Sequence, residues 1–546
     1  MFKIFNKRPI IGIAIVFAIA LFFRFFMLTK YPVHLSMDEV AIGVNAYEIL
    51  KTGRDEHGVV LPLAFKSVGD YKPPVNIYLT AISQFFLGFN EFSTRFPVAF
   101  IGSLTAVFII LLLKKLNLSW FSSIFGGFWL AILPWHVHFS RGGFEAVTAL
   151  FFLILGTYLY TSWVNAKKTW LLVASISSFS LSVWAYHAER VFVPILVVFL
   201  IINYRKEIKF RIQKIQRQIL WGIAALLLFA IPFINLAVFT PAVAQRAAST
   251  SILREASLAT SLHGGNYANL EEKIFDNDYF LTFRHWAGKY LNYFDIRFIF
   301  WKGMQFTPPG YPDLGLLYAV DLPLFLFGIY SLVKSDNKKL KSLSAFWFFA
   351  GPLSASFTMN EQHPLRALTW IPFFAIVNAA AIEELGNRLK RFSYFLAPYL
   401  IILATSIIYF GDVYIHQFPW FYAESWQYGY KQISQYSCEN LPNYDKIMIS
   451  DTFGREGPLN TGVPYLYVLY YCPADMENYM ATGQHLEKFN FRRPNTSVLK
   501  EKGKLLLIGS PWDFLDGNLY GGKIVNEVAY PSGESAFLLV EKSPND

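Results

Sequence analysis

Long apolar runs, without the alternation or one-sided periodicity of a soluble fold, dominate the chain up to about residue 410. They fall at about 9–29, 96–113, 120–139, 146–164, 169–186, 191–204, 219–239, 314–333, 343–357, 367–382 and 392–410. Runs of this kind read as helices crossing a bilayer whose hydrocarbon core is about 30 Å thick. About eleven transmembrane helices are expected. The run 191–204 is the shortest, and 314–333 carries Asp321 in its outer third. A further apolar stretch, 75–88, is too short to cross and is expected to lie along the interface. Beyond Gly411 the pattern changes to short strand-like segments at 446–450, 504–508, 523–530 and 536–541, separated by polar turns with Gly and Pro. That alternation predicts a small α/β domain.

Composition agrees with a membrane protein. Of 546 residues 54% are hydrophobic and only 16% charged, far from the usage of a soluble domain. The net charge of +10 would raise nucleic-acid binding in a soluble protein, so the placement of the basic residues decides. They sit in alternate connections: Lys3, Lys7 and Arg8, then Lys114 and Lys115, Lys167 and Lys168, and the runs 205–217, 334–341 and 388–391. This is the bias of cytoplasmic loops, and it excludes a nucleic-acid footprint. It implies a cytoplasmic N-terminus and, eleven crossings later, an exported C-terminal part. The first span lacks a small-residue cleavage pattern and is read as uncleaved. The expected division is a transmembrane core, 1–411, and an exported soluble domain, 412–546. Cys438 and Cys472 are the chain's two cysteines, to be paired as a disulfide or kept as buried thiols.

The middles of the spans are nearly free of charge, which argues against a transporter of ions or charged solutes. Chemistry-bearing groups cluster instead near the outer span ends: Asp38, Glu39, Asp55, His57, Asp70, Lys72, Arg95, Arg141, Glu145, His187, Glu189, Arg190, His363 and Arg366. A reaction at the outer membrane surface on a lipid-held substrate is the economical reading. Ser36-Met-Asp-Glu39 fits a capping box that opens a helix closed by Gly53, so Glu39 is expected to be structural and Asp38 to face the membrane-level cleft. Lys72 precedes two prolines that hold it extended, either as a headgroup anchor or as a phosphate contact. Arg141 and Glu145, four apart, read as a surface ion pair. The turn 186–190 is short enough to present His187 and Arg190 inward or to form a structural network. No metal-ligand spacing appears; a divalent metal stays open, with His57, His187 and His263 as the histidines that could join a carboxylate.

These pieces resemble the membrane glycosyltransferases of the protein O-mannosyltransferase and aminoarabinose transferase type. The likeness rests on Met37-Asp38-Glu39, Gly53-Arg54-Asp55 with Leu61-Pro62, Tyr71-Lys72-Pro73-Pro74 with Tyr78, and Phe89-Asn90-Glu91 with Arg95-Phe96-Pro97. It continues through Leu133-Pro134-Trp135-His136-Val137-His138-Phe139-Ser140-Arg141 and Tyr186-His187 with Arg190, and covers about 1–410. The resemblance implies a GT-C fold with interfacial helices in the first outer loop. It also implies an inverting transfer of a sugar from a polyprenyl-phosphate carrier to an acceptor hydroxyl on a lipid, glycan or protein. In that family's terms Asp38 is the catalytic loop-one aspartate and Lys72 the phosphate-contacting lysine; Arg141 and Arg190 match motif positions and are candidates for the donor phosphate, and Glu39 is a candidate second carboxylate. Tyr71, His187 and Arg366 are substrate-binding candidates. The outer segment 240–313 is too short for the β-trefoil of eukaryotic protein O-mannosyltransferases, which tells against a protein acceptor. A lipid-linked sugar flippase and a non-catalytic assembly subunit are the alternatives.

Overall fold

The computed structural model describes residues 7–209, 212–245, 251–252, 269–306, 313–359, 361–389, 391–472 and 486–543. A helix lies on each apolar run of the sequence. In chain order these are α1 (Pro9–Phe25), then α2 (Met37–Thr52) and α3 (Pro74–Leu87) in the first loop, α4 (Glu91–Lys115), α5 (Trp120–Ile132), α6 (Pro134–Arg141), α7 (Glu145–Ala166), α8 (Thr169–Ala185), α9 (Glu189–Asn203) and α10 (Ile212–Phe239). After α11 (Asp278–Asn292) come α12 (Asp321–Lys334), α13 (Lys338–Ala350), α14 (Ile371–Arg388) and α15 (Phe392–Asp412). By length and composition five described segments reach across a bilayer: Glu91–Lys115, Glu145–Ala166, Gln216–Phe239, Leu368–Arg388 and Phe392–Tyr422.

Several spans are shifted from their expected limits, and two of them are interrupted or shortened. The run 120–139 breaks at Leu133, which is extended (φ −64°, ψ 120°) because the following proline disfavours the helical region, and Pro134 then opens α6 at its first position. The run 314–333 becomes helical only at Asp321. That carboxylate is fully buried and accepts bonds from Trp129 Nε1 and the Tyr399 hydroxyl, both at 2.7 Å. The bundle core is aromatic, with Trp129, Trp135, Trp347 and Trp370 all inaccessible to solvent.

The C-terminal part forms a five-stranded sheet of β3 (Lys446–Ile449), β4 (Phe489–Phe491), β5 (Leu505–Gly509), β6 (Lys523–Ala529) and β7 (Ser535–Lys542), after the hairpin strands β1 (Phe65–Ser67) and β2 (Asp70–Lys72) of the first loop. The order is β4-β3-β5-β7-β6, with β4, β3 and β5 parallel and the last two antiparallel. Every residue of β5 is buried, as expected of a central strand covered on both faces. Helices α16 (Tyr430–Glu439) and α17 (Pro464–Tyr471) pack on each other. Cys438 and Cys472 are joined, with Cα atoms 6.0 Å apart. The second face of α17 lies on α2, so the core of this domain includes Leu35, Val40, Ala41 and Val44 from the first loop.

Candidate active site

The site begins at the first turn of α2. The expected capping box is formed: the Glu39 amide donates to Ser36 Oγ (3.4 Å), and the Ser36 amide donates to Glu39 Oε2 (2.8 Å). Gly53 closes the helix at φ 71°, a left-handed position that glycine takes without a Cβ penalty. Glu39 has a second task that the capping pattern does not reveal. Arg95 of α4 grips it through Nε (2.6 Å) and Nη2 (3.3 Å) and donates as well to the carbonyls of Leu28 (2.9 Å), Pro32 (3.0 Å) and His34 (2.6 Å). Both side chains are buried. Asp38, one residue away and about 100° around the helix, instead keeps its side chain 49% exposed.

The short hairpin β1–β2 brings Lys72 to it. Phe65 pairs with Lys72 and Ser67 with Asp70, and the turn residues Val68 (φ 53°) and Gly69 (φ 72°) take the positive torsions that a two-residue hairpin requires. Lys72 and Pro73 (φ −64°, ψ 149°) are extended, as expected, but a helix follows at once. Pro74 opens α3 at its first position, where a missing N–H costs nothing. The Lys72 ammonium rests on the Asp38 carboxylate, with the lysine side chain only 10% exposed. Burial pulls the lysine's pKa down, but Asp38, Glu145 and Asp70 around it outweigh that and raise it, so the ammonium is kept.

Helix α3 turns its polar side inward. Asn76, Thr80, Ser83 and Gln84 are buried, and Gln84 Nε2 donates to the Gly43 carbonyl (3.0 Å), whereas Ile82, Phe85, Phe86 and Leu87 are exposed. With α2 it lines an apolar groove of about 400 Å3 between Ile49, Leu50, Leu61, Tyr78, Ala81, Ile82, Phe85 and Phe86.

The turn between α8 and α9 does reach inward: His187 Nε2 lies 3.2 Å from the Tyr71 carbonyl, beside Lys72. The three arginines engage other groups. Arg141 is buried beneath the first loop, donating to the carbonyls of Phe23 (2.9 Å), Phe26 (2.9 Å), Met27 (3.2 Å) and Tyr31 (2.9 Å), with Tyr414 against its guanidinium. The surface-pair reading of Arg141 and Glu145 is corrected accordingly. Gly142 and Gly143 (φ 67°) separate α6 from α7, Arg141 is interior, and Glu145 bears on Lys72. Arg190 lies over the Phe233 ring at 5.2 Å, and Arg366 donates to the Met359 carbonyl at 2.9 Å. Asp55 serves its own turn, accepting the amides of His57 and Val59 at 2.9 Å each. Among the described residues no group of three His, Cys, Asp or Glu is placed to hold a metal ion; His263 lies outside them.

Three groups without a role in the sequence reading hold the first loop: Arg95, Glu91 and His34. Glu91 takes Lys431 Nζ (2.8 Å) and the Tyr471 hydroxyl (2.7 Å) from the C-terminal domain. His34 accepts the Lys431 amide on Nε2 (3.1 Å), which puts its proton on Nδ1, 2.7 Å from the Leu35 carbonyl. Glu91 and Arg95 sit in a motif segment, but no local pattern links any of the three to partners so far along the chain.

Residues 14–245 match the family model of dolichyl-phosphate-mannose-protein mannosyltransferase. Comparison with curated proteins finds no match. The fold is similar to that of ArnT from Cupriavidus metallidurans bound to undecaprenyl phosphate (TM-score 0.51, 12% identity, covering 98% of each chain). It is similar also to the oligosaccharyltransferase AglB from Archaeoglobus fulgidus in complex with an inhibitory peptide and a dolichol-phosphate (TM-score 0.50, 15% identity, 88% of this chain and 60% of that one). An Archaeoglobus fulgidus oligosaccharyltransferase with Zn and sulfate gives TM-score 0.50 at 12% identity, over 96% of this chain and 72% of that one. This chain thus spans about 60% of the archaeal AglB's length. At such identities the likeness is one of fold, and that fold is the GT-C type of membrane glycosyltransferases.

Proposed function

We propose that this chain, which has the GT-C fold and the protein mannosyltransferase pattern over residues 14–245, is an inverting glycosyltransferase at the outer membrane face. It moves a sugar from a polyprenyl-phosphate carrier to an acceptor hydroxyl. The observation that carries the reading is the Asp38–Lys72 pair, a half-exposed carboxylate against a mostly buried ammonium where the first loop meets the bundle. The donor already has a good leaving group, so the enzyme must take a proton from the acceptor and hold the charge that develops on the phosphate. Arrival of the donor phosphate draws Lys72 onto it and releases the Asp38 carboxylate. The acceptor oxygen then attacks the anomeric carbon from the face opposite the phosphate, and its proton passes to Asp38. The bond from that carbon to the phosphate oxygen breaks, and the electron pair stays on the lipid phosphate beside Lys72. One displacement inverts the anomeric configuration, through a transition state of oxocarbenium character.

His187 and Tyr71, joined beside Lys72, and Glu145, whose charge acts on it, are assigned to the donor's sugar or phosphate. Arg141 supports the floor of the first loop, and a phosphate contact from it requires exchange of its carbonyl partners. Lysine and arginine placement sets the N-terminus in the cytoplasm and the sheet domain, from about residue 412, outside. Fusing a cytoplasm-dependent reporter to each terminus tests that orientation.

With dolichyl-phosphate-mannose as probe and a simple alcohol as acceptor, the purified protein should release lipid phosphate. Asp38→Asn should lower turnover by about 10²–10⁴-fold while donor binding is kept, since the amide has the carboxylate's shape but cannot take the proton. Turnover by Asp38→Asn near the parent rate sinks the assignment.

A further inference from the structure

We infer that the C-terminal domain is a working part of the catalytic apparatus, in which α17 seats the start of α2 and so positions Asp38; this rests on the function proposed above. The Tyr467 hydroxyl, fully buried, donates to the Leu35 carbonyl at 2.8 Å, directly before the capping box, and lies 2.8 Å from Gln427 Oε1. Four further contacts join the same domain to the first loop and α4. Lys431 gives its amide to His34 and its ammonium to Glu91, Tyr471 donates to Glu91, and the Tyr470 hydroxyl meets Thr94 Oγ1 at 2.8 Å. From the bundle side Arg95 holds Glu39 and the His34 carbonyl. The segment that carries Asp38 is therefore clamped from opposite sides, one of which belongs to a domain more than 400 residues later in the chain.

The seam is close. A Cβ on Gly43 would come within 2.5 Å of Tyr470 Cε2 and 3.1 Å of Thr94 Oγ1, so this position on α2 accepts no side chain while α17 stays in place. Tyr467 and Gly43 lie at this seam, the first bonded to the Leu35 carbonyl and Gln427, the second against Tyr470 and Thr94. They are positioning residues, acting through the helix they seat. General-base catalysis needs the carboxylate within hydrogen-bond reach of the acceptor, and a shift of about 1 Å can cost about a hundredfold in rate. Lys72, the donor contact, is carried by the β1–β2 hairpin rather than by α2 itself.

The test uses the full-length protein with dolichyl-phosphate-mannose as donor probe. Tyr467→Phe removes one hydroxyl and should lower kcat by about fivefold with donor KM unchanged. Gly43→Ala should lower kcat by about tenfold or more, again without a rise in donor KM. Tyr470→Leu in the Gly43→Ala background, which removes the far half of the ring, should restore most of the loss. Amide hydrogen exchange at residues 36–40 reads the seating without turnover, and should quicken in both single variants while α4 keeps its protection. Unchanged kcat and unchanged exchange in Tyr467→Phe and Gly43→Ala overturn the inference, as does a donor KM that rises in step with the kcat loss. A parent protein that turns over no lipid-linked sugar yet shows faster exchange in both variants contradicts the proposed chemistry and leaves the seating established.

Discussion

At the residue scale two adjacent carboxylates of the same length of chain have opposite duties, and the helix period separates them. Glu39 faces Arg95 in the interior and closes the capping box, while Asp38 faces Lys72 and solvent. A buried ion pair that loses one partner leaves the other charge uncompensated, so breaking it costs more than its formation yields. Glu39→Gln should therefore destabilise the protein by about 3 kcal/mol, seen as a lower thermal midpoint in detergent. The protein that stays folded should keep kcat within a small factor of the parent. A variant of normal stability with abolished turnover would move the catalytic role from Asp38 to Glu39.

At the element scale, α3 buries a mixed face, with Ile77 and Ala81 beside its polar residues, and exposes an apolar one. The mixed face is buried against α2 and α4, and Ile82, Phe85 and Phe86 point away from the protein. In water such a surface is costly, at about 25 cal/mol for each Å2 of apolar area, so its partner is the hydrocarbon edge of the bilayer. Phe86→Trp, a tolerant change at an exposed position, should give a blue-shifted tryptophan in vesicles that is quenched by lipids brominated on the upper acyl chain. Emission typical of water, unquenched by those lipids, would place α3 clear of the membrane.

At the scale of the whole molecule, His34 ties the bundle to the sheet domain through an imidazole that must stay neutral. Burial, the largest influence, lowers its pKa to about 4, with Lys431 and Arg95 adding to the fall and Glu91 and the Leu35 carbonyl opposing it. Unfolded, the ring titrates near 6.5, so between these values the unfolded chain binds the extra proton and stability falls as pH falls. The contribution is complete above about 6.5 and lost by about 4, a difference of about 3 kcal/mol. The parent's thermal midpoint should drop between pH 7 and pH 4.5 by more than that of His34→Asn, which carries no such proton. Equal drops would show that the tie does not sense pH.

Much of the fold was legible in the sequence because membrane insertion and helix capping are local. The length and spacing of apolar runs place the helices, Ser36, Glu39 and Gly53 mark both ends of α2, and the strand segments after residue 446 lie within a residue or two of their observed limits. The prolines at 73 and 74 hold Lys72 extended, as expected, but the start of α3 directly at Pro74 was not foreseen. Sequence and resemblance together singled out Asp38 and Lys72. Their contact, 34 residues apart, needed the hairpin and the helix to be folded against each other. Arg141, a motif position that suggested a phosphate ligand, donates here to carbonyls at the end of α1, contacts that its sequence position did not announce. The sheet domain was visible as a separate composition, but not its seat on α2. Side-chain pattern fixes which surfaces are apolar, whereas which apolar surface meets which is decided by contacts between segments hundreds of residues apart, and these exist only in the assembled tertiary structure.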